Sequence, residues 1–530
     1  MPEISGAAAQ RGGILTSAGI VLLVALVVFP LFFAQSMGRS LSHDEHQHLA
    51  AGVLIARECL LPYRDFAYLH PPVLPLIYSL FLGHCEYLLL ATRAFSAVCA
   101  SLIAAVLFLA AFRAFAGHRP AWRMAIAAAA VLLLLASPAF VFTVGRTSNH
   151  ELSILFALLA ILCHLAALRT GRPAPLFFSG LLLAMAVGTR VTFAPLGAPF
   201  LAALFFIPSA GRQRTWLKQF GIFAAGGVLG GLPMLWLFIE APAQFLFGVL
   251  QFSQANLDYR AATGNPQNMT LLPKLRFLFK EIAAPNFAVC AAAIVPLVCF
   301  EWQRRRANAP FPVGVIFLLS LVPFLLMGSL APSPVFEQYF GVFAPFLLLV
   351  GISCGARLDV SDRFALPALA AIAAVLTASV IMVFPDYRTT LAKFPTPQDW
   401  TPIKRHREAL ALRQYAAGTV LTLAPLHPLE AGLKIVPAFA TGPFAWRVAE
   451  FIPPKKRRQL GIVGAEDLEK FLRPNPPAAI LLGQEKRWES ALLEYAQRHG
   501  YRKIPIGSED KAIWLKPAKW VREKNARPAR

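Results

Sequence analysis

The chain has 530 residues, of which 57% are hydrophobic and 15% charged, and its mean hydropathy is +0.57. Soluble domains carry about 25% charged residues, so the composition excludes a soluble chain and predicts a polytopic membrane protein. The formal charge of +22 is, in such a protein, first a matter of topology, and nucleic acid is not an expected partner.

Up to Phe384 there are 24 Lys and Arg against 14 Asp and Glu, and from Pro385 onward 26 against 14. The charge is therefore concentrated in the tail, which divides the chain into a multi-span membrane domain, 1–384, and a soluble C-terminal domain, 385–530. A membrane helix needs about 20 apolar residues. Runs that qualify lie at 14–34, 94–111, 124–144, 152–167, 175–188, 191–207, 220–239, 287–300, 313–330, 341–354 and 364–384, about eleven spans, with Pro195 and Pro199 interrupting one. The first run is too long for the apolar region of a signal peptide and lacks a small-residue cleavage site, so it is read as a span.

With the N-terminus cytoplasmic, the short loops on that side hold Arg113, Arg119 and Arg123; Arg169 and Arg172; Arg212, Arg214 and Lys218; Arg304, Arg305 and Arg306; and Arg357 and Arg363. The opposite short loops hold only Arg146, Arg190 or nothing. This asymmetry puts two long loops, 35–93 and 240–286, and the tail on the far side. The expected location is a bacterial inner (plasma) membrane with the C-terminal domain periplasmic.

The first long loop opens with Ser42-His43-Asp44-Glu45-His46-Gln47-His48. Ser42 and Glu45 fit a capping box at a helix start, which leaves Asp44 the more suggestive carboxylate. Leu49, Val53, Ala56 and Leu60 give that helix one apolar stripe. His43, His46 and His48 raise a metal reading, with Asp44 and His48 one turn apart, but the His-Glu-x-x-His spacing is absent; no cofactor is assigned beyond a possible divalent cation. Cys59 and Cys85 share this loop and could form one disulfide; the tail has no cysteine.

Next comes Pro62-Tyr63-Arg64-Asp65-Phe66, then Tyr68-Leu69-His70-Pro71-Pro72. At the following outward turn Gly145-Arg146-Thr147-Ser148-Asn149-His150-Glu151 enters a span, and Ser148 with Glu151 again fits a capping box. Ionisable groups at the mouth of a span are costly unless they face a cavity or partner. The loop 240–286 interleaves Phe245, Phe247, Phe252, Tyr259, Arg260, Lys274, Arg276, Phe277, Phe279 and Lys280, a pattern suited to lipid phosphates and chains. In the tail, strands are expected at 419–424, 478–482, 503–506 and 512–515 and helices at 398–417, 464–472 and 487–499, an α/β domain. The basic clusters 455–458 and 520–530 are expected to form a solvated surface, with contact to anionic lipid phosphates as the alternative.

The first span, the outward Asp44-Glu45 pair, the amphipathic helix, the Pro62-to-Phe66 and His70-Pro71-Pro72 segments, and a later outward Glu337-Gln338-Tyr339-Phe340 together resemble the glycosyltransferase-C superfamily. The branch is similar to protein O-mannosyltransferases and the lipid A aminoarabinose transferase, over residues 10–385. The resemblance implies a polytopic α-helical membrane enzyme that moves a sugar, hexosyl or pentosyl, from a polyprenyl-phosphate donor to a lipid, glycan or protein acceptor, usually with inversion. It implies Asp44 as catalytic base and gives Glu151 the place of the second acidic residue, although the local sequence departs from the family there. Tyr68 and His70 would line the site with the flanking Arg64 and Asp65, and Tyr339, beside Gln338, would lie near the donor entrance. Independently, such a transfer needs a base at the acceptor hydroxyl and cations at the departing phosphate, for which Arg64, Arg146 and Arg190 are candidates; Glu45, beside the base, is grouped with the binding residues. Two other classes fit the apolar bulk. A transporter or flippase would show internal repeats or midplane charges; a metal-dependent hydrolase would build on the loop histidines.

Overall fold

The computed structural model describes residues 3–206, 216–264, 269–359, 365–392, 394–416, 418–506 and 511–517. Arg212, Arg214, Arg363 and the basic segment 520–530 lie outside them. Helix α1 (Glu3–Gly38) leads to α2 (His43–Glu58) and α3 (Val73–Leu82), which build the first long loop. Then come α4 (Leu88–Ala114), α5 (Pro120–Leu135), α6 (Pro138–Thr143), α7 (His150–Thr170), α8 (Pro173–Thr189), α9 (Gly197–Phe206) and α10 (Trp216–Glu240). The second long loop folds as α11 (Pro242–Leu246), α12 (Phe252–Ala262) and α13 (Leu271–Phe277), before α14 (Phe287–Arg306), α15 (Val313–Leu330), α16 (Phe343–Gly355) and α17 (Ala365–Ala392).

All eleven expected spans contain helix. Among the described residues seven segments are long and apolar enough to cross a membrane, while 120–135, 173–189 and 191–205 are apolar but shorter. Two expected spans are broken for reasons written in the chain. In 124–144 the Ser137-Pro138 step ends α5, because proline disfavours helical geometry in the residue before it; Ser137 is extended and its hydroxyl accepts from the Phe140 N–H at the start of α6. In 191–207 a 3-10 turn, Val191–Leu196, takes up Pro195 before α9. Helices α8 and α10 cross through glycines: a Cβ on Gly180 would lie 2.1 Å from the Phe223 carbonyl, and one on Gly226 2.0 Å from that of Phe177. Small residues permit this backbone approach where apolar lipid offers no hydrophobic drive to association. Leu22, Leu23, Leu26 and Val27 of α1 and Val228 and Leu229 of α10 stay exposed, the apolar surface a bilayer covers.

Helix α2 starts as expected. Ser42 Oγ accepts from the Asp44 N–H at 3.3 Å, the Ser42 N–H donates to Glu45 Oε2 at 3.0 Å, and the capping box is complete. It stops at Cys59, which is left-handed (φ 54°) and donates its N–H to Leu54 O. Cys59 and Cys85 are both free thiols, so the disulfide considered from their shared loop does not form.

The C-terminal domain carries a five-stranded sheet of β1 (Thr419–Leu421), β2 (Lys434–Ile435), β3 (Ala479–Leu482), β4 (Arg502–Pro505) and β5 (Ala512–Leu515). Its order is β2-β1-β3-β5-β4, parallel across the first three and antiparallel across the last three. Leu421, Ile480 and Leu482 pack on one face with Leu492 and Tyr495; Val420, Ala479, Leu481 and Ile513 pack on the other with Ala409 and Leu412. Strand β2 was not expected, since two residues carry no alternation. The basic cluster 455–458 is not wholly solvated: Arg457 is 2% exposed and pairs with Glu466 and Asp467.

This domain is bolted to the long loops. Phe444, Val448, Ala449 and Ile452 share an apolar cluster with Ala67, Leu69, Phe247 and Tyr259. Glu430 Oε2 accepts from the N–H groups of Leu88 (2.9 Å) and Leu89 (3.4 Å), supplying from the C-terminal domain the cap that α4 lacks locally. Both long loops and the sheet domain therefore lie together on one face of the bundle.

Candidate active site

The two adjacent carboxylates at the start of α2 have opposite surroundings. Glu45 is fully buried. Its oxygens accept from Arg93 Nε (2.9 Å) and Nη2 (2.8 Å), from Thr147 N (2.8 Å) and from Ser42 N (3.0 Å). A carboxylate offers about four acceptor positions, and all are taken. Although burial opposes ionisation, the Arg93 guanidinium and these donors hold the Glu45 carboxyl below its usual range. Glu45 is thus a joint between α1, α2, α4 and the 145–149 turn, not the substrate contact it was grouped with. Asp44, one residue earlier, is half-buried, and no described group donates to its carboxylate. Its charge acts on Arg190 and Tyr339 and on His43, Arg447 and Glu485.

Glu151 differs from expectation in a similar way. It is 1% exposed, its Oε1 accepts from Gly145 N (2.9 Å) and its Oε2 from Ser148 Oγ (2.9 Å). Helix α7 begins after Asn149, so Ser148 and Glu151 do not form a capping box; Glu151 instead ties down the turn that carries Arg146. In that turn Gly145 sits at φ 87°, and a Cβ built on it would lie 3.1 Å from the Ser36 Cα, so both the conformation and the space favour glycine.

Arg190 emerges where α8 ends, and its guanidinium reaches Thr192 Oγ1 (3.0 Å), Asn149 Oδ1 (3.2 Å) and the His150 ring (2.7 Å). It stands 4.7 Å over the Tyr339 ring. Together His150, Arg190, Thr192, Ser329, Gln338 and Tyr339 line one cleft. The structure thus brings Arg190, Gln338 and Tyr339 together in one cleft, within reach of the Asp44 charge at Arg190 and Tyr339. Arg146 is near: its Nε is buried without a partner and its charge acts on both His43 and His150.

Arg64 and Asp65 lie elsewhere. They pair with each other at 2.9 Å, and Arg64 also reaches Glu240 at 3.5 Å; this exposed brace holds a turn in which Tyr63 is left-handed at φ 69°. Tyr68 is buried, its hydroxyl 2.9 Å from His48 Nδ1, and the His48 and His70 rings are 5.0 Å apart. Burial, then the Arg190 charge, pushes the His70 imidazole down to about 3, so this wall is neutral. The three loop histidines diverge: His43 turns to Phe444, His46 to His427 and Glu485, and His48 to Tyr68. Among the described residues no three His, Cys, Asp or Glu side chains converge as a metal site.

The second long loop forms part of the wall. Phe245 packs on Tyr63 at 4.9 Å, Gly248 abuts the Tyr68 carbonyl, and Arg260 lies 5.3 Å over Phe336. Lys274, expected at a lipid interface, donates to Leu330 O and Ser333 Oγ, both at 2.7 Å.

The chain has the glycosyltransferase-C fold. The structure of ArnT from Cupriavidus metallidurans bound to undecaprenyl phosphate superposes with a TM-score of 0.59 at 13% identity, over 97% of this chain and 99% of that one. The apo form of the same protein gives 0.55 at 12% identity, over 98% and 100%. The apo oligosaccharyltransferase of Archaeoglobus fulgidus gives 0.50 at 11% identity, over 95% of this chain and 74% of that one. The family model for dolichyl-phosphate-mannose-protein mannosyltransferase matches residues 69–238, from the second half of the first long loop through most of α10. No curated protein matches by sequence. These superpositions extend over the C-terminal domain as well as the membrane domain, since they cover 97% and 98% of the chain. What sequence reasoning missed lies there: Phe444, Arg447 and Trp488 face His43, and only the aromatic-Arg run 444–447 could have hinted at it.

Proposed function

We propose that this chain is a membrane glycosyltransferase that moves a sugar from a polyprenyl-phosphate carrier to an acceptor hydroxyl on the non-cytoplasmic face of a bacterial inner membrane, with inversion. The observation that carries the reading is the contrast at the start of α2: Asp44 keeps its carboxylate open and its charge reaches Arg190 of the Arg190–Tyr339 cleft, while Glu45 and Glu151 are committed to the scaffold. The match to a dolichyl-phosphate-mannose transferase model and the fold shared with a structure that holds undecaprenyl phosphate support the donor class.

In the proposed step the acceptor oxygen attacks the anomeric carbon as its proton passes to Asp44. A new carbon–oxygen bond forms while the bond from that carbon to the phosphate oxygen breaks, and the electron pair leaves with polyprenyl phosphate. Arg190, held by Asn149, His150 and Thr192, meets the charge that grows on the departing phosphate without having to reorganise. The neutral Tyr68, His48 and His70 wall offers hydrogen bonds to sugar hydroxyls. Cells lacking the protein are expected to accumulate a polyprenyl-phosphate sugar and to lose one glycan modification by mass spectrometry. Asp44→Asn should reproduce that phenotype at normal protein levels; near-wild-type transfer by this variant would remove Asp44 from the role of base.

A further inference from the structure

Four arginines either act on His43, the neighbour of Asp44, or feel the charge of Asp44 itself, namely Arg146, Arg190, Arg260 and Arg447, and among the described residues none of them forms an ion pair with a carboxylate. They divide into two groups. Arg190 is held by Asn149, His150, Thr192 and the Tyr339 ring, and Arg447 by Asn256, Phe444, Tyr259 and Trp488, two sets with no residue in common. Arg190 rises from the membrane helices. Arg447 descends from the C-terminal domain and, with Arg260 of α12, acts on His43 beside Asp44.

The surroundings of Arg447 are those of a held but unneutralised cation. It is 9% exposed. Its guanidinium lies 4.6 Å over Phe444, 5.3 Å over Tyr259 and 5.8 Å from the Trp488 ring. Nη2 donates to Asn256 Oδ1 at 2.9 Å, and Nε is buried with no partner. Trp488 in turn donates its indole N–H to Tyr259 Oη at 2.9 Å, so the cage is braced from both sides of the domain junction. The nearby Arg260 also has a buried Nε without a partner. Two neighbouring cations repel, and a buried polar group left unpaired is costly; an anion between them relieves both. The phosphate of a lipid-linked donor is tethered to the bilayer and falls to the Arg190 side, whereas the Arg447 side is roofed by the extramembrane domain.

We propose that Arg447 and Arg260 form a second oxyanion subsite, contributed by the C-terminal domain and the second loop, that docks a phosphate or carboxylate group of the acceptor opposite the donor phosphate. This rests on the transferase reading of the same site. It gives the C-terminal domain a role in acceptor selection: acceptors bearing such an anion near the reactive hydroxyl are favoured over neutral ones.

The test uses the full chain in nanodiscs saturated with undecaprenyl phosphate and titrated with inorganic phosphate, with acetate in parallel, following the fluorescence of the tryptophans, which include Trp488. Wild type should bind a second oxyanion. Arg447→Gln should weaken that binding about tenfold or more, Arg447→Lys less, with undecaprenyl phosphate affinity and melting temperature unchanged. Arg190→Gln should do the reverse. Tighter phosphate than acetate identifies the preferred group. Unaltered phosphate binding in Arg447→Gln, or loss of undecaprenyl phosphate binding in that variant, overturns the subsite. Intact undecaprenyl phosphate binding in Arg190→Gln instead overturns the donor assignment and leaves the subsite standing.

Discussion

Replacing Arg93 by methionine should unfold the site's scaffold without touching Asp44. Arg93 is fully buried in α4. Besides its two bonds to Glu45 it donates to Ser36 O (2.8 Å), Arg39 O (2.9 Å) and Ser40 O (3.1 Å), so it closes the end of α1, where the chain turns into α2. Methionine fills much of the same volume but leaves the Glu45 carboxylate buried without its cation and three carbonyls without donors. Breaking a buried ion pair by removing one partner costs about 3–5 kcal/mol, and each orphaned acceptor adds roughly 1 kcal/mol or more where water cannot reach it. Arg93→Met should therefore lose about 6–8 kcal/mol. The double variant Arg93→Met/Glu45→Gln should recover part of this, because the uncompensated charge is gone. Asp44→Asn should cost almost nothing in stability while lowering transfer by about 10²–10⁴-fold, the usual contribution of a general base. Denaturation in mixed micelles read by circular dichroism gives the stabilities, and lipid mass spectrometry the transfer. A wild-type midpoint for Arg93→Met, or a double variant no more stable than the single one, refutes the argument that Glu45 is a committed structural carboxylate.

Three further outcomes are expected. Gly226→Ala in α10 sets a methyl 2.0 Å from the Phe177 carbonyl, so α8 and α10 must separate and stability should fall by about 1–3 kcal/mol; an unchanged melting curve would show that the helices do not cross so closely. Burial, and after it the charge of Glu489, pushes the Glu485 carboxyl from 4.5 up to about 7. Since its folded value is raised, its contribution to stability is full below about pH 4.5 and is lost as pH rises through about 7. The melting temperature should accordingly drop between about pH 4.5 and 7 and level off above that, and Glu485→Gln should flatten that slope; parallel slopes in the two proteins would exclude Glu485. Finally, Cys59 is an exposed free thiol at the end of α2, so a membrane-impermeant maleimide should label it in intact spheroplasts, and labelling only after lysis would reverse the orientation proposed for the first loop.

The sequence determined what depends on composition and short-range period. Eleven apolar runs appear as helix because a bilayer admits backbone only with its hydrogen bonds closed internally. The α2 start was legible at Ser42 and Glu45 because a capping box spans three residues, and the sheet domain because β-branched runs mark all but its shortest strand. Asp44 stood out by the same local logic. What the sequence left undecided are pairings across long separations. Glu45 and Asp44 are neighbours in the chain, yet only Arg93, 48 residues away, and Thr147, 102 away, make one a scaffold element and leave the other open. Arg64 and Arg190 look alike as outward arginines, but one is taken by its neighbour Asp65 while the other is aimed into a cleft by Asn149 and Tyr339. The contribution of the tail was the least legible of all. Arg447 reaches the site only after an apolar junction and the Glu430 cap fasten the C-terminal domain over α2 and α4, and no local pattern encodes contacts that the packing of two domains creates.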